Sequence, residues 1–184
     1  MAMTFLVGGV ASGKSRTATA LASRTTRAVT LVATAEGLDD EMAARIERHR
    51  RERPAGWTVV EEPLALSAAI EAAGPEHVVI VDCLTLWVTN LLASDEGLDD
   101  DEIILRAGAA AKACAARARP VIVISNEVGA GIVPMHPLAR RFRDVLGRAN
   151  AVFADAADTV ALMVAGRAVT LSDPLEALDP GGPR

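Results

Sequence analysis

The run Gly8-Gly9-Val10-Ala11-Ser12-Gly13-Lys14-Ser15 constrains the fold most, because it needs a strand before it and a helix after it. Thr4 to Val7 is apolar and predicts a buried strand, and the Ala-rich stretch from Ser15 to Ser23 predicts a helix. The run fits G-x-x-x-x-G-K-[S/T], the P-loop, whose backbone N–H groups surround a phosphate. Lys14 is predicted to act on the β- and γ-phosphates as a catalytic residue, and the Ser15 hydroxyl to bind Mg²⁺. All eight residues are therefore predicted to contact a nucleotide.

Composition narrows the class of protein. The chain has 184 residues, 51% of them hydrophobic, and a net charge of -5, which argues against nucleic acid or an anionic membrane as the main partner. Only two lysines, Lys14 and Lys112, occur beside seventeen arginines. Cys83 and Cys114 lack metal-ligand spacing and are predicted to be free thiols, which favours a cytoplasmic location.

Strand and helix patterns alternate along the chain, which predicts an α/β fold with a mostly parallel sheet and helices on both faces. Further strands are predicted at Val29–Ala33, Trp57–Glu61, Val78–Asp82 and Val121–Ile124, and a terminal hairpin at Thr159–Val164 and Ala168–Leu171. Helices are predicted at Asp39–Arg53, Leu64–Ala73, Leu84–Ala93, Asp99–Ala118 and Leu138–Ala156. Residues 1–171 are predicted to form one domain, and residues 172–184 a loose tail.

Ligands of such sheets bind at the carboxyl ends of the strands. Those ends carry Ala33-Thr34-Ala35, Glu61, Asp82 and the pair Asn126-Glu127. Asp82 follows four apolar residues, a pattern typical of an acid that binds Mg²⁺. A carboxylate can also accept N1–H and the exocyclic amine of guanine, so Glu61 or Asp82 could instead select that base. A solvated strand end is the alternative for Glu61.

The predicted helix Asp39–Arg53 has five arginines around His49. Met42, Ile46, His49 and Arg53 fall within about 60° of arc, so His49 shares a face with two apolar residues. Neutral imidazole is a good nucleophile toward phosphorus, and flanking guanidinium groups would balance the charge of a phosphate. The alternative is a solvated arginine-rich helix with one packed histidine.

The last long predicted helix, Leu138–Ala156, contains a second group of arginines. Arg140, Arg141, Arg143 and Arg148 are interpreted as a solvated face, and a site for a second anionic substrate is the alternative. The acidic run Asp99 to Glu102 is interpreted as a helix start, because negative charge is favourable there.

An ordered set of motifs resembles the bifunctional adenosylcobinamide kinase/adenosylcobinamide-phosphate guanylyltransferases of cobalamin biosynthesis. The resemblance extends from about Thr4 to Val164. Its marks are the P-loop, Asp39 to Ile46 leading to His49, Arg53-Pro54 with Trp57, Asp82 to Trp87 with Thr89 to Leu92, Asn126 to Gly129 and Ile132 to Pro134.

The resemblance implies a RecA-like P-loop NTPase fold and a homotrimer. It implies transfer of a γ-phosphate from ATP or GTP, with Mg²⁺, to adenosylcobinamide, a corrinoid, and then transfer of GMP from GTP to the product. It implies that His49 is the catalytic nucleophile that becomes guanylylated. It also matches further positions to nucleotide contacts: Ala33, Thr34, Ala35, Arg50, Arg51, Glu52, Arg53, Glu61 and Asp82.

One departure from the family lies inside the P-loop, where many members have arginine and this chain has Ala11. Two other functions are alternatives to the one that the resemblance implies. A different small-molecule P-loop kinase would form no covalent guanylyl intermediate, and a nucleotide-dependent switch would have no acceptor substrate.

Overall fold

A computed structural model describes residues 3–36, 44, 47–48, 50–51 and 54–177 of the chain. Its centre is one seven-stranded sheet. The strands are β1 (Met3–Gly8), β2 (Val29–Ala33), β3 (Thr58–Glu61), β4 (Val78–Asp82), β5 (Val121–Asn126), β6 (Thr159–Val164) and β7 (Arg167–Leu171). Every predicted strand is confirmed, with ends that differ by at most two residues.

The strand order is β3-β2-β4-β5-β1-β6-β7, and every neighbouring pair is parallel except β6 and β7, which form the predicted antiparallel hairpin. β5 lies between β1, which ends in the P-loop, and β4, which ends in Asp82. Two strand spacings therefore separate these two ends, a distance of about 10 Å across the sheet.

The helices cover both faces of the sheet, as predicted. They are α1 (Lys14–Ser23), α2 (Leu66–Ala72), α3 (Leu84–Ala93), α4 (Asp100–Ala115), α5 (Pro137–Ala156) and the short turn α6 (Pro174–Ala177). Ala44, Glu47, Arg48, Arg50 and Arg51 are also helical. Within the described ranges, no helix is both long and apolar enough to cross a membrane.

Strand residues alternate between two cores. Leu6 and Ile80 face α1 and pack with its Ala18 and Ala22. Their chain neighbours face the other way and pack against α2 to α5, in a larger core that contains Trp87 and Phe153. Because both faces of the parallel strands are covered, their sequences are apolar throughout rather than alternating.

Helix α4 begins as predicted and ends three residues early. Asp99 is its N-cap, accepting from the backbone N–H of Glu102, whose side chain reaches back to the N–H of Asp99. Beyond its end, the Arg117 guanidinium donates to the carbonyls of Ile70, Ala73, Gly74 and His77 around the end of α2. Carbonyl groups at the end of a helix lack partners within that helix, and here the Arg117 side chain supplies their donors.

Two of the four arginines of α5 have acidic partners on α4. Arg141 donates to Asp100 at 2.6 Å and Arg148 to Asp101 at 2.7 Å. These pairs are partly exposed, and they agree with the solvated-face interpretation.

Candidate active site

The P-loop turns sharply at the end of β1, where only glycine fits. Gly8 has φ of 155°, and a Cβ there would lie 2.3 Å from the carbonyl oxygen of Met163 on β6. Gly13, which precedes α1, has φ of 97°, a region that disfavours other residues. The two glycines therefore allow the backbone to curl between β1 and α1.

Lys14 is folded over this loop. It is 7% exposed, and its Nζ donates to the carbonyl oxygens of Gly8 at 2.8 Å and Gly9 at 2.7 Å. It also donates to the buried Ser12 hydroxyl at 3.3 Å. The ammonium group thus lies against the loop that is predicted to hold the phosphates, where phosphate oxygens can replace these acceptors.

The tip of the loop is open. Val10 is 73% exposed, and Ala11 is exposed with φ of 57°, a left-handed conformation that few residues other than glycine adopt. Ala11 is the position where the family often has arginine, so the side chain that this chain lacks would project from an exposed turn.

Asp82 lies at the same edge of the sheet, half-buried at the end of β4. In the strand register it is opposite Ala33 of β2 and Ile124 of β5, while Gly8 is opposite Asn126. The strand ends therefore bring the P-loop, Asp82 and the segment that begins at Ala33 to one edge, as the sequence predicts.

Thr34 holds the segment after Asp82 in place. Its hydroxyl, in a fully buried residue, donates to the Cys83 carbonyl at 2.7 Å and accepts from the Cys83 N–H at 2.9 Å. Its own carbonyl accepts from Asn90 Nδ2 of α3 at 2.7 Å. We infer that Thr34 and Asn90 support the Asp82 carboxylate through the backbone, so the Thr34 side chain has a positioning role.

We expect Thr34→Val to destabilise the protein by about 1–3 kcal/mol, because a buried N–H and carbonyl lose their partner. For a chain of this size the midpoint of thermal unfolding would fall by about 2–12 °C. Calorimetry on Thr34→Val and on Thr89→Val measures the effect. Thr89 is exposed, and its hydroxyl donates only within α3, so its loss should change the midpoint little. Equal midpoints for the two variants would contradict the supporting role.

The end of β5 is held by two helices. The N–H of Asn126 donates to the Thr85 hydroxyl of α3 at 2.8 Å, and its carbonyl accepts from Asn150 Nδ2 of α5 at 3.0 Å. The N–H of Glu127 donates to the carbonyl of Gly8 at 3.1 Å. Strand β5 is thus fixed directly beside the start of the P-loop.

The predicted nucleophile His49 lies outside the described residues, as do Glu52 and Arg53. Arg50 forms an ion pair with Glu61 at the end of β3, and this hydrogen bond and charge raise the pKa of Arg50. Arg51 donates to Glu47 at 3.2 Å. The Arg50–Glu61 pair connects the described part of the predicted arginine-rich helix to the sheet edge that carries the P-loop and Asp82.

The two cysteines are free thiols, as predicted. Burial raises the pKa of Cys83 to about 11, with a further contribution from the charge of Asp82, and burial raises the pKa of Cys114 to about 12. Both remain protonated at neutral pH, so neither is an activated nucleophile.

Sequence reasoning finds the residues that bear charge at this edge and misses those that position them. Thr85, Asn90 and Asn150 act through backbone atoms that are 24 to 56 residues away. Thr85 and Asn90 do lie within motifs that mark the family resemblance, whereas Asn150 is one of several polar residues of α5 and has no such signal.

Comparisons with known proteins agree with this geometry. A family model described as cobinamide kinase/cobinamide phosphate guanyltransferase matches residues 4–171. The bifunctional adenosylcobalamin biosynthesis protein CobU of Escherichia coli is 43% identical over 183 residues, which cover 92% of this chain and 99% of that protein. The protein CobP of Pseudomonas aeruginosa is 41% identical over 162 residues, covering 88% and 92%.

A solved structure shares the fold alone. It is an ATPase from the type III secretion system of pathogenic bacteria, with a TM-score of 0.52 and 10% identity over 97% of this chain and 53% of that one. The P-loop fold predicted from the sequence is thereby confirmed. With the family model and the relatives spanning nearly its whole length, the chain belongs to the cobinamide kinase/cobinamide phosphate guanyltransferase family.

Proposed function

We propose that this protein phosphorylates adenosylcobinamide with a nucleoside triphosphate and then transfers GMP from GTP to adenosylcobinamide phosphate, releasing pyrophosphate. The observation that carries the proposal is the P-loop with its buried Lys14, at the sheet edge that also holds Asp82, in a chain matched by the family model over residues 4–171. Relatives in two bacteria with bifunctional names support both activities.

In the kinase reaction, the substrate hydroxyl oxygen bonds to the γ-phosphorus while the bond from the γ-phosphorus to the bridging oxygen breaks. The nucleoside diphosphate leaves, and the hydroxyl proton passes to solvent or to a nearby base. Backbone N–H groups of the P-loop and the Lys14 ammonium, which lies against the Gly8 and Gly9 carbonyls, are proposed to stabilise the charge that develops on the phosphate oxygens. Their contribution is positioning and charge stabilisation.

Ser15 and Asp82 are proposed to hold Mg²⁺. A hydroxyl and a carboxylate are hard oxygen donors, and Mg²⁺ in nucleotide sites takes one or two protein ligands while phosphates and water complete its shell. Both residues are half-buried at the same edge of the sheet, so the donor set fits the ion. When bound, Mg²⁺ would neutralise charge on the phosphate groups.

In the GMP transfer, an imidazole nitrogen of His49 is proposed to bond to the α-phosphorus as pyrophosphate leaves. A phosphate oxygen of the corrinoid substrate then bonds to the same phosphorus and breaks the P–N bond, which frees His49. Support comes from the family resemblance and from Arg50, the chain neighbour of His49, which is paired with Glu61 at the ligand-binding edge.

Selection of the guanine base is proposed for the carboxylate of Glu61 or of Asp82. Glu61 is half-exposed and bound to Arg50 in a solvated pair, which a ligand can replace. A homotrimer and a cytoplasmic location remain predictions, and the corrinoid is the proposed small-molecule partner.

An incubation with two labels separates this function from its alternatives. With adenosylcobinamide and Mg²⁺, γ-labelled GTP should label the corrinoid, and α-labelled GTP should label first the protein and then the corrinoid. EDTA should abolish both. Label from the γ-position alone would indicate a kinase without a covalent intermediate, and hydrolysis without a labelled corrinoid would indicate a nucleotide switch.

A further inference from the structure

The turn between β6 and β7 touches the P-loop. The N–H of Gly166, in this turn, donates to the carbonyl oxygen of Ser12 at 2.9 Å. Ala165 and Gly166 have φ of 50° and 72°, the left-handed pair of a tight two-residue hairpin. Because Ser12 is 154 residues earlier, this contact exists only in the folded sheet.

The two segments pack backbone against backbone. A Cβ on Gly13 would lie 3.2 Å from the Cα of Gly166, and a Cβ on Gly166 would lie 2.8 Å from a guanidinium nitrogen of Arg16. At the other end of the loop, Gly8 is pressed against the Met163 carbonyl of β6. Strand β6 and its turn therefore contact the P-loop at both ends.

The hydrogen bond to Ser12 has a direct consequence for phosphate binding. The carbonyl of Ser12 and the N–H of Gly13 belong to one planar trans peptide and point in opposite directions. Holding the carbonyl toward the hairpin therefore directs the Gly13 N–H away from it. Gly13 N–H is one of the P-loop donors expected to contact a phosphate.

Strand β7 contributes little to the core, whereas β6 buries Ala161 and Met163 there. All five residues of β7 are exposed, including Val169 and Leu171. Burial of apolar surface by β7 is therefore small. Besides its pairing with β6, it completes the turn that touches the P-loop.

We propose that the β6–β7 turn, through Gly166, positions the P-loop for the triphosphate. The inference rests on the proposed function, since it requires that the loop binds phosphate. Gly166 touches no reacting atom in this account and is a positioning residue. Gly166→Ala forces a side chain into a left-handed turn beside Arg16 and should displace the hydrogen bond to Ser12.

Gly97→Ala is the matched control, because Gly97 has φ of 64° and open space around its Cβ position. Both variants should lower the unfolding midpoint through similar backbone strain. Only Gly166→Ala should weaken binding of the inert analogue guanosine 5′-(β,γ-imido)triphosphate, by about 5- to 10-fold, the loss expected for one hydrogen bond. Its KM for triphosphate should rise while its KM for adenosylcobinamide stays unchanged.

Gly166→Asn and Gly97→Asn provide a second pair, since asparagine tolerates the left-handed conformation and leaves folding less affected. Lys14→Ala, tested with the same analogue, distinguishes a failure of the positioning role from a failure of the proposed function. If Lys14→Ala weakens binding while both Gly166 variants bind like their Gly97 controls, the positioning role is wrong and the P-loop site stands. If Lys14→Ala binds normally, the triphosphate site is not at this loop, and both proposals fall.

Discussion

Replacing Lys14 with alanine should lower kcat/KM for the nucleoside triphosphate by about 10²–10³-fold in both reactions, the usual effect of removing one donor to a developing negative charge. The structure gives the reason, because Lys14 Nζ lies against the carbonyls of Gly8 and Gly9 inside the phosphate-binding loop. Steady-state rates of phosphate transfer and of GMP transfer, each measured over a range of triphosphate concentrations, test this result.

The sequence offers its own control, since Lys112 is the only other lysine and is exposed on α4. Lys112→Ala should leave both rates within about twofold of the parent, as expected for a solvated side chain away from special contacts. Lys14→Met, which keeps the length of the side chain and removes the charge, should be as impaired as Lys14→Ala. Normal kinase activity in either Lys14 variant would show that phosphate is transferred elsewhere.

Replacing His49 with alanine should reduce GMP transfer by about 10³-fold or more, because a covalent route loses its nucleophile. Phosphorylation of adenosylcobinamide should continue within a few-fold of the parent rate, since the acceptor hydroxyl attacks the γ-phosphorus without a histidine. The measurement is acid-labile, α-labelled GMP on the protein, together with the rate of the kinase step.

His136→Ala is the matched variant for this experiment. His136 caps α5, where its Nδ1 accepts from the N–H of Leu138 at 3.3 Å, so its loss should affect stability and leave the protein–GMP adduct intact. An acid-labile adduct that persists in His49→Ala would place the nucleophile on another residue. Equal loss of both activities in His49→Ala would instead indicate a structural role for the histidine.

The strands could be predicted because their buried apolar runs are short and are bounded by glycine, proline or charge. Val29–Ala33 and Val78–Asp82 have the predicted ends in the structure. The same pattern places Asp82 and Ala33 at one edge, since parallel strands all end on the same side. Helix α4 ends three residues before its predicted end, because Arg117 donates to carbonyls within and just after α2, which no local pattern in α4 reveals.

The supporting contacts could not be predicted from local patterns. The hydroxyl of Thr34 reaches Cys83, and the N–H of Gly166 reaches Ser12, across separations that no periodicity encodes. Thr34 illustrates the limit well. Its place at a strand end and the family resemblance predict a ligand contact, and only the structure shows that its side chain is buried and bonded to the backbone of Cys83.

The scarcity of lysine makes the nucleotide site chemically addressable. An amine-acylating reagent meets two side chains in this protein, the exposed Lys112 and the buried Lys14. The ratio of acylation at these two residues, read by mass spectrometry, would therefore report occupancy of the phosphate loop, with Lys112 as the internal standard. Because the sequence contains only these two lysines, the background of competing side-chain amines is small, and this protein can be footprinted without any engineered label.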